Sequence, residues 1–231
     1  SGKVSTFYDV SVDRTMDIYE TDVLYVYKFA TGLDNGLSWQ DAFTDLNDAL
    51  EFAANSHIKE IWVQSATYTP HNSDRSVSFV MHSGVAVYGG FNGTETERSQ
   101  RDPVLNPVVL SGEIGGPGAL DNSYHVVRVP SGVQQAVLDG FLVTGGQADG
   151  ASMPDQRGAG IYCLGQLTCT DIQVTSCYAA DAGAAIFANG WRAQVDLKDV
   201  LMENNTSPVN AGVASASLAT IQITGNNEVK E

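Results

Sequence analysis

Two hydrophobic periods divide this chain. Over residues 38–54, SWQDAFTDLNDALEFAA, the apolar positions Trp39, Ala42, Phe43, Leu46, Ala49, Leu50 and Ala53 recur in steps of three and four, which predicts one amphipathic helix. Ser38 with Asp41 reads as its capping box, and the preceding GLDNG is turn chemistry. Beyond it the period falls to two. EIWVQSATYT (60–69), SFVMH (78–82), VAVYGGF (85–91), VVLSGEI (108–114), YHVVRV (124–129) and AVLDGFLVTGG (136–146) read as short strands broken by Gly, Pro, Asn or Ser. Many short strands without intervening helices mean an all-β body, and periodicity must choose among sandwich, barrel and solenoid.

Internal repeats make that choice. GFLVTGG (140–146), DIQVTSC (171–177), DVLMENN (199–205) and TIQITGN (220–226) align so that Phe141, Ile172, Val200 and Ile221 share one column and Val143, Val174, Met202 and Ile223 another. A second strand type aligns Ile161 of GAGIYC, Ile186 of GAAIFA and Val213, each preceded by small residues such as Gly158 and Gly183. Two strand types per turn, recurring roughly every 25 residues, describe a coil whose turns stack like upon like. The isoleucines then need apolar neighbours above and below, and the small residues sit where the coil turns tight corners. Asn204, Asn205 and Asn226 fit corner positions whose amides bond to stacked backbone. Two long loops, 90–107 and 146–160, should bulge from the coil.

Composition narrows the partners. The 231 residues are 43% hydrophobic, and no apolar run reaches the ~20 residues of a membrane helix. Twelve Lys and Arg against 27 Asp and Glu leave a net charge of -15, which repels phosphate backbones and argues against nucleic acid. The start, SGKVST, has no charged-then-apolar leader. Cys163, Cys169 and Cys177 are three within 15 residues and make no disulfide framework; they read as buried thiols, with a Cys163–Cys169 bridge as the alternative.

GAGI (158–161) and GAAI (183–186), with LMEN (201–204), resemble the Gly-Gly-Ala-Ile and Phe-x-x-Asn repeats of right-handed parallel β-helix proteins of bacterial surfaces, the group related to polymorphic outer-membrane proteins. NGLSWQDAFTDLNDAL, EIWVQSATYTP, VYGGFNGTETERSQRD and LSGEIG resemble the capping helix and first coils of such proteins. The third copy, NAGV (210–213), is degenerate, and the chain stops without a β-barrel anchor. The resemblance implies a plug helix at the amino-terminal end, an extracellular or cell-surface location, and either the first part of a longer surface protein or a short free-standing one.

Related folds also carry pectate-lyase-like and polygalacturonase-like enzymes, so chemistry has to be argued from residues. Asp171 and Asp199 occupy equivalent repeat positions and would stack one strand apart, close enough to raise one pKa or recruit Ca²⁺, with Lys198 or Arg192 as the basic member. The alternative places them at strand starts facing water. Asp139 and Asp196 are similarly ambiguous. His57, His71, His82 and His125 lack metal-ligand spacing and read as isolated surface or strand histidines. Glu95, Glu97, Arg98, Arg101 and Asp102 should pair with one another and pin their loop. Thr144, Thr175 and Thr224 align, but Glu203 interrupts what would be an ice-binding ladder. Trp62, Tyr68, Phe91, Tyr162 and Trp191 are candidates for stacking against sugar rings.

The sequence therefore predicts an all-β fold, a right-handed parallel β-helix (solenoid) with an N-terminal capping α-helix. Residues 1–24 read as an extension or capping strand and 25–231 as one domain. The expected role is adhesin-like binding of glycans or extracellular proteins without a cofactor; the alternative is a lyase or hydrolase acting on acidic polysaccharide. The open carboxy-terminal coil offers a surface for end-to-end contact.

Overall fold

The computed structural model describes residues 5–9, 14–18, 22–209 and 214–230. Parallel strands stack into three sheets that the chain visits in a fixed cyclic order. A seven-stranded sheet runs from Val23–Val26 through Glu60–Gln64, Ala86–Phe91, Ala136–Asp139, Gln166–Thr170 and Gln194–Lys198 to Thr220–Thr224. A six-stranded sheet holds Thr67–Tyr68, Val108–Ser111, Phe141–Thr144, Gln173–Thr175, Leu201–Glu203 and Glu228–Lys230. A five-stranded sheet holds Phe79–Val80, Val127–Val129, Ile161–Cys163, Ile186–Asn189 and Ala214–Ser217. Each turn of chain thus adds one rung to each of three sheets, where the repeats predicted two, and the arrangement is compatible with an all-β solenoid. Ser5–Asp9 and Arg14–Ile18 form a separate antiparallel pair. Val23–Val26 spans the expected boundary between residues 24 and 25.

Register makes the core a set of columns. Leu24, Ile61, Val87, Leu138, Cys169, Leu197 and Ile223 stack in the seven-stranded sheet. Val143, Val174, Met202 and Val229 stack in the six-stranded one, and Val127, Ile161, Ile186 and Ala214 in the five-stranded one. Burying each large member contributes ~1.5–3 kcal/mol, so the stack is the main source of cohesion. Ile221 and Ile223 were expected above Val200 and Met202; they lie instead above Val195 and Leu197 in the neighbouring sheet, and Glu228–Lys230 takes the expected place. Both sheets use the same alternation of inward apolar residues, so the pattern did not separate them. Thr224 leaves the threonine column for the same reason and pairs with Lys198. Val213 lies outside the described residues; Ala214 is the residue beside Ile186.

Two ladders of left-handed backbone bound the six-stranded sheet. At its entry Gly140, Asp171, Asp199 and Gly225 have φ of 83°, 47°, 54° and 76°. At its exit Gly145, Ser176 and Asn204 have φ of 72°, 55° and 54°. Such angles cost an L-residue ~1–2 kcal/mol, and Gly, Asn and Asp bear them best, so these residue types recur where the chain bends sharply between sheets. Asn205, beside the exit ladder, is buried and bonds across it: its Oδ1 accepts from Cys177 N at 3.1 Å and its Nδ2 donates to Val174 O at 2.7 Å.

The helix spans Leu46–Ala54, with Asp45 as N-cap accepting from Asn47 N, and buries Leu46, Ala49, Leu50 and Ala53. It starts later than the spacing predicted. Ser38 Oγ does accept from Asp41 N at 3.0 Å, but it closes a turn. The segment then runs beside Val23–Val26: Phe43 N donates to Tyr25 O and Tyr27 N donates to Phe43 O. Phe43 thereby bridges to Val26 as one more parallel rung and covers the first edge of the sheet. The helical spacing of Trp39, Ala42 and Phe43 reflects burial against that edge. All three cysteines are free and buried, so the bridge alternative falls. Among the described residues no helix is long and apolar enough to cross a membrane.

Candidate functional site

The outer face of the six-stranded sheet forms a groove of about 590 Å³. Its floor follows from register: Leu142, Gln173, Leu201 and Glu228 are outward-facing neighbours on successive rungs. Pro103, Val104 and Pro107 of the long loop build one wall, and the entry ladder with Asp171 and Asp199 forms the rim. Half-buried leucines thus alternate with an exposed amide and a carboxylate along the direction in which the turns stack.

The loop holds its place through the seven-stranded sheet. Arg98 Nη1 donates to Glu60 Oε1 at 2.6 Å and to the Tyr88 hydroxyl at 2.9 Å. Arg101 donates to Asp139 Oδ1 at 2.6 Å and to Gly89 O at 2.9 Å. Glu95 is buried, and its carboxylate accepts from the backbone N–H groups of Asn92, Gly93 and Thr94. Asp102 Oδ1 accepts from Val104 N and Leu105 N. The charged residues of this loop were expected to pair with one another; they engage the coil and the loop backbone instead, because outward carboxylates of the sheet lie within reach. Asp139 pays for its partial burial: desolvation raises its pKa, against the lowering effect of Arg101.

Asp171 and Asp199 are on adjacent rungs, ~4.8 Å apart along the stack. Both hold corner conformations. Asp199 Oδ1 accepts from Asn226 N at 2.7 Å, and its Oδ2 lies 3.9 Å from Lys198 Nζ. Asp199 is thereby committed to the next rung's backbone, a corner-capping role, while Asp171 is exposed at the groove rim. Among the described residues no group of three or more His, Cys, Asp or Glu side chains converges, so a Ca²⁺ ion at this pair would find two carboxylates where such ions take six to eight oxygens. Arg192 is elsewhere, its guanidinium 4.1 Å from the Trp191 ring centre.

Four of the five aromatic candidates have no face to offer a sugar. Trp62 stacks on Phe91 with centroids 4.8 Å apart and receives the edge of Tyr25, while its Nε1 donates to Glu60. Trp39 packs tilted against Phe91 with centroids 5.5 Å apart and donates to Glu95 O. Tyr68 is buried, its hydroxyl donating to Gln64 O, and burial raises its pKa. Tyr162 is sandwiched between Phe187 and His125. Trp191 is 76% exposed, but it lies at the corner between the five- and seven-stranded sheets, away from the groove.

His125 also differs from expectation: it is buried. Its Nδ1 lies 3.0 Å from Gly158 O and its Nε2 3.5 Å from Asp155 Oδ1, and desolvation lowers its pKa. The loop above it is held by Arg75 to Asp149 at 2.5 Å and by an ion pair between Arg157 and Asp181. Burial pushes the Cys163 thiol up to about 11 and that of Cys177 to about 12, so neither is a nucleophile at neutral pH.

Comparison with known protein families, curated proteins and solved structures finds no match for this chain. The groove itself therefore carries the functional argument. No feature of the sequence alone announced it, since its wall comes from a loop and its floor from strands on four successive rungs. A signal for the corner was present: the residue after each of the last four strands of the seven-stranded sheet is Gly140, Asp171, Asp199 or Gly225, the set a left-handed bend selects.

Proposed function

We propose that the chain is a right-handed parallel β-helix, exported or displayed at a bacterial surface, that works by binding and not by catalysis. Its ligands are glycans, or proteins of neighbouring or host cells, and its contact surface is the groove on the six-stranded sheet. One observation carries this reading: Leu142 and Leu201 present apolar patches on alternate rungs, with Gln173 between them and Asp171 at the rim. Carbohydrate rings need such a mixture, with C–H faces laid on apolar side chains and hydroxyls met by a few polar groups. The repeat of GAGI and GAAI, which resembles the surface β-helix group, supports the fold and the location.

Hydrolysis or lyase chemistry on acidic polysaccharide is the weaker reading. It needs a pair of carboxylates free to exchange protons, or a carboxylate cage for Ca²⁺ beside a base. Asp199 is engaged by Asn226 and Lys198, which leaves Asp171 without a partner carboxylate for that work. A glycan array probed with the chain, alongside polygalacturonate turnover with and without Ca²⁺, separates the two. Array binding that falls at least tenfold in Gln173→Arg or Leu201→Glu, with unchanged melting, supports the binding reading. Cleavage of polygalacturonate, or binding indifferent to both substitutions, overturns it.

A further inference from the structure

Charge is unevenly placed around the groove. Its lining holds Asp171, Asp199 and Glu228 and no Lys or Arg. Beside the floor, the next outward column of the same sheet is Thr144, Thr175, Glu203 and Lys230. Lys230 Nζ lies 3.0 Å from Glu228 Oε2, and Lys198 Nζ 3.9 Å from Asp199 Oδ2. Arg98 and Arg101 of the wall loop are held by Glu60 and Asp139 on the neighbouring sheet, outside the groove. Asp171 and Glu203 are left with no ion pair among the described residues. The two stand on adjacent rungs and on opposite edges of the floor: Asp171 at the entry corner before Gln173, Glu203 two residues beyond Leu201.

We propose that the groove selects chains of β-1,4-linked amino sugars carrying free ammonium groups over uncharged or uronate chains of the same length. The inference rests on the groove being the ligand surface. Leu142 and Leu201 are two rungs apart, ~9.6 Å along the stack, close to the two-ring repeat of a β-1,4-linked chain. In such a chain successive rings are flipped, so their ammonium groups project to opposite edges. One then meets Asp171 and the next, one rung on, meets Glu203, while the ring faces lie on the leucines.

A uronate chain in the same place sets carboxylates against Asp171 and Glu203 with no cation to compensate, so the residues that attract one class reject the other. The net charge of -15 acts in the same sense and draws a cationic chain toward the protein. A basic peptide shares that charge and fits the floor less well. Extended, it brings side chains to one face every ~6.6 Å, out of step with the leucines.

Titration calorimetry at pH 6, where amines are protonated and Asp and Glu ionised, compares four probes: the β-1,4 glucosamine tetramer, its N-acetylated counterpart, a galacturonate tetramer and tetralysine. An exposed ion pair strengthens binding by up to about fivefold, so two should give the glucosamine tetramer about a tenfold advantage over the N-acetylated one. Asp171→Asn keeps a residue type that bears the left-handed corner, and it should cut that advantage about threefold while N-acetylated binding stays unchanged. Glu203→Gln should do the same. Leu201→Gln alters the floor without altering charge and should weaken both tetramers together. No binding of the glucosamine tetramer, equal or tighter binding of any other probe, or a preference unmoved by both Asp171→Asn and Glu203→Gln overturns the proposal and leaves the groove standing. Sugar binding indifferent to Leu201→Gln removes the groove itself, and the proposal with it.

Discussion

Ile161 and Ile186 offer the most direct test of stacking. Ile161 is fully buried, with Val127 on one side and Ile186 on the other at the same register position. Truncation to Ala removes three carbons, ~2.4 kcal/mol at ~0.8 kcal/mol per buried methylene, and the unfilled space brings the expected cost to ~3–4 kcal/mol. Ile186→Ala should cost a similar amount. The informative quantity is the double variant. The contact between the two side chains is lost in either single variant and so is counted twice in their sum. The double variant should therefore be less destabilised than that sum by at least ~0.5 kcal/mol. Ile161→Ala combined with Leu24→Ala, at the capped end, should add to within ~0.5 kcal/mol. Urea unfolding followed by circular dichroism reads all of these, provided the slopes match across the set. Additivity of the Ile161 and Ile186 deletions, or a single-variant cost under ~1 kcal/mol, would refute the columnar core.

Asn205→Ala strips the buried partners of Cys177 N and Val174 O and should cost ~2–4 kcal/mol by denaturation, whereas Asn72→Ala, on an exposed loop, should change little. Gly183→Ala should be worse than Gly84→Ala: both have positive φ, but a Cβ at Gly183 would lie 2.4 Å from Ile186 O, while at Gly84 it meets nothing within 4 Å, so only the second stays near the ~1–2 kcal/mol of left-handed strain. His125 has a lowered folded pKa, so between that value and ~6.5 the unfolded chain binds the extra proton and stability drops as pH falls through this window. Asp155 facing its Nε2 opposes the shift and the Arg128 charge reinforces it. His125→Gln should flatten the loss of urea midpoint between pH 7 and pH 5, and an unchanged slope would remove His125 as its cause.

Stacking was legible in the sequence because parallel strands stacked in register repeat their demands locally. Ile161 and Ile186 pair as aligned, as do Val143, Val174 and Met202. Which sheet a strand joins was not legible: TIQIT and VLMEN both place apolar residues at alternate positions, and the sheets differ in what surrounds them. The helix start was misread because a loop capping a sheet edge also needs Trp39, Ala42 and Phe43 turned the same way. The aromatic candidates failed for a related reason. Trp62 and Phe91 sit outside the columns, yet the long loop folds over them, and loop placement depends on distant partners such as Asp139 and Glu60. The stacked aspartates were found by alignment, but their role as left-handed corners emerges only when Gly140 and Gly225 are read in the same column.

The excursion between residues 92 and 107 divides its own labour. Glu95, Arg98 and Arg101 fasten it to backbone and to the seven-stranded sheet, whereas Val104 and its neighbours shape the groove. A rung needs only its nearest neighbours to stay in place. The tip can therefore be exchanged for another sequence while the fastening and the spine persist, and variants carrying grafted tips would explore new specificities on one unchanged scaffold.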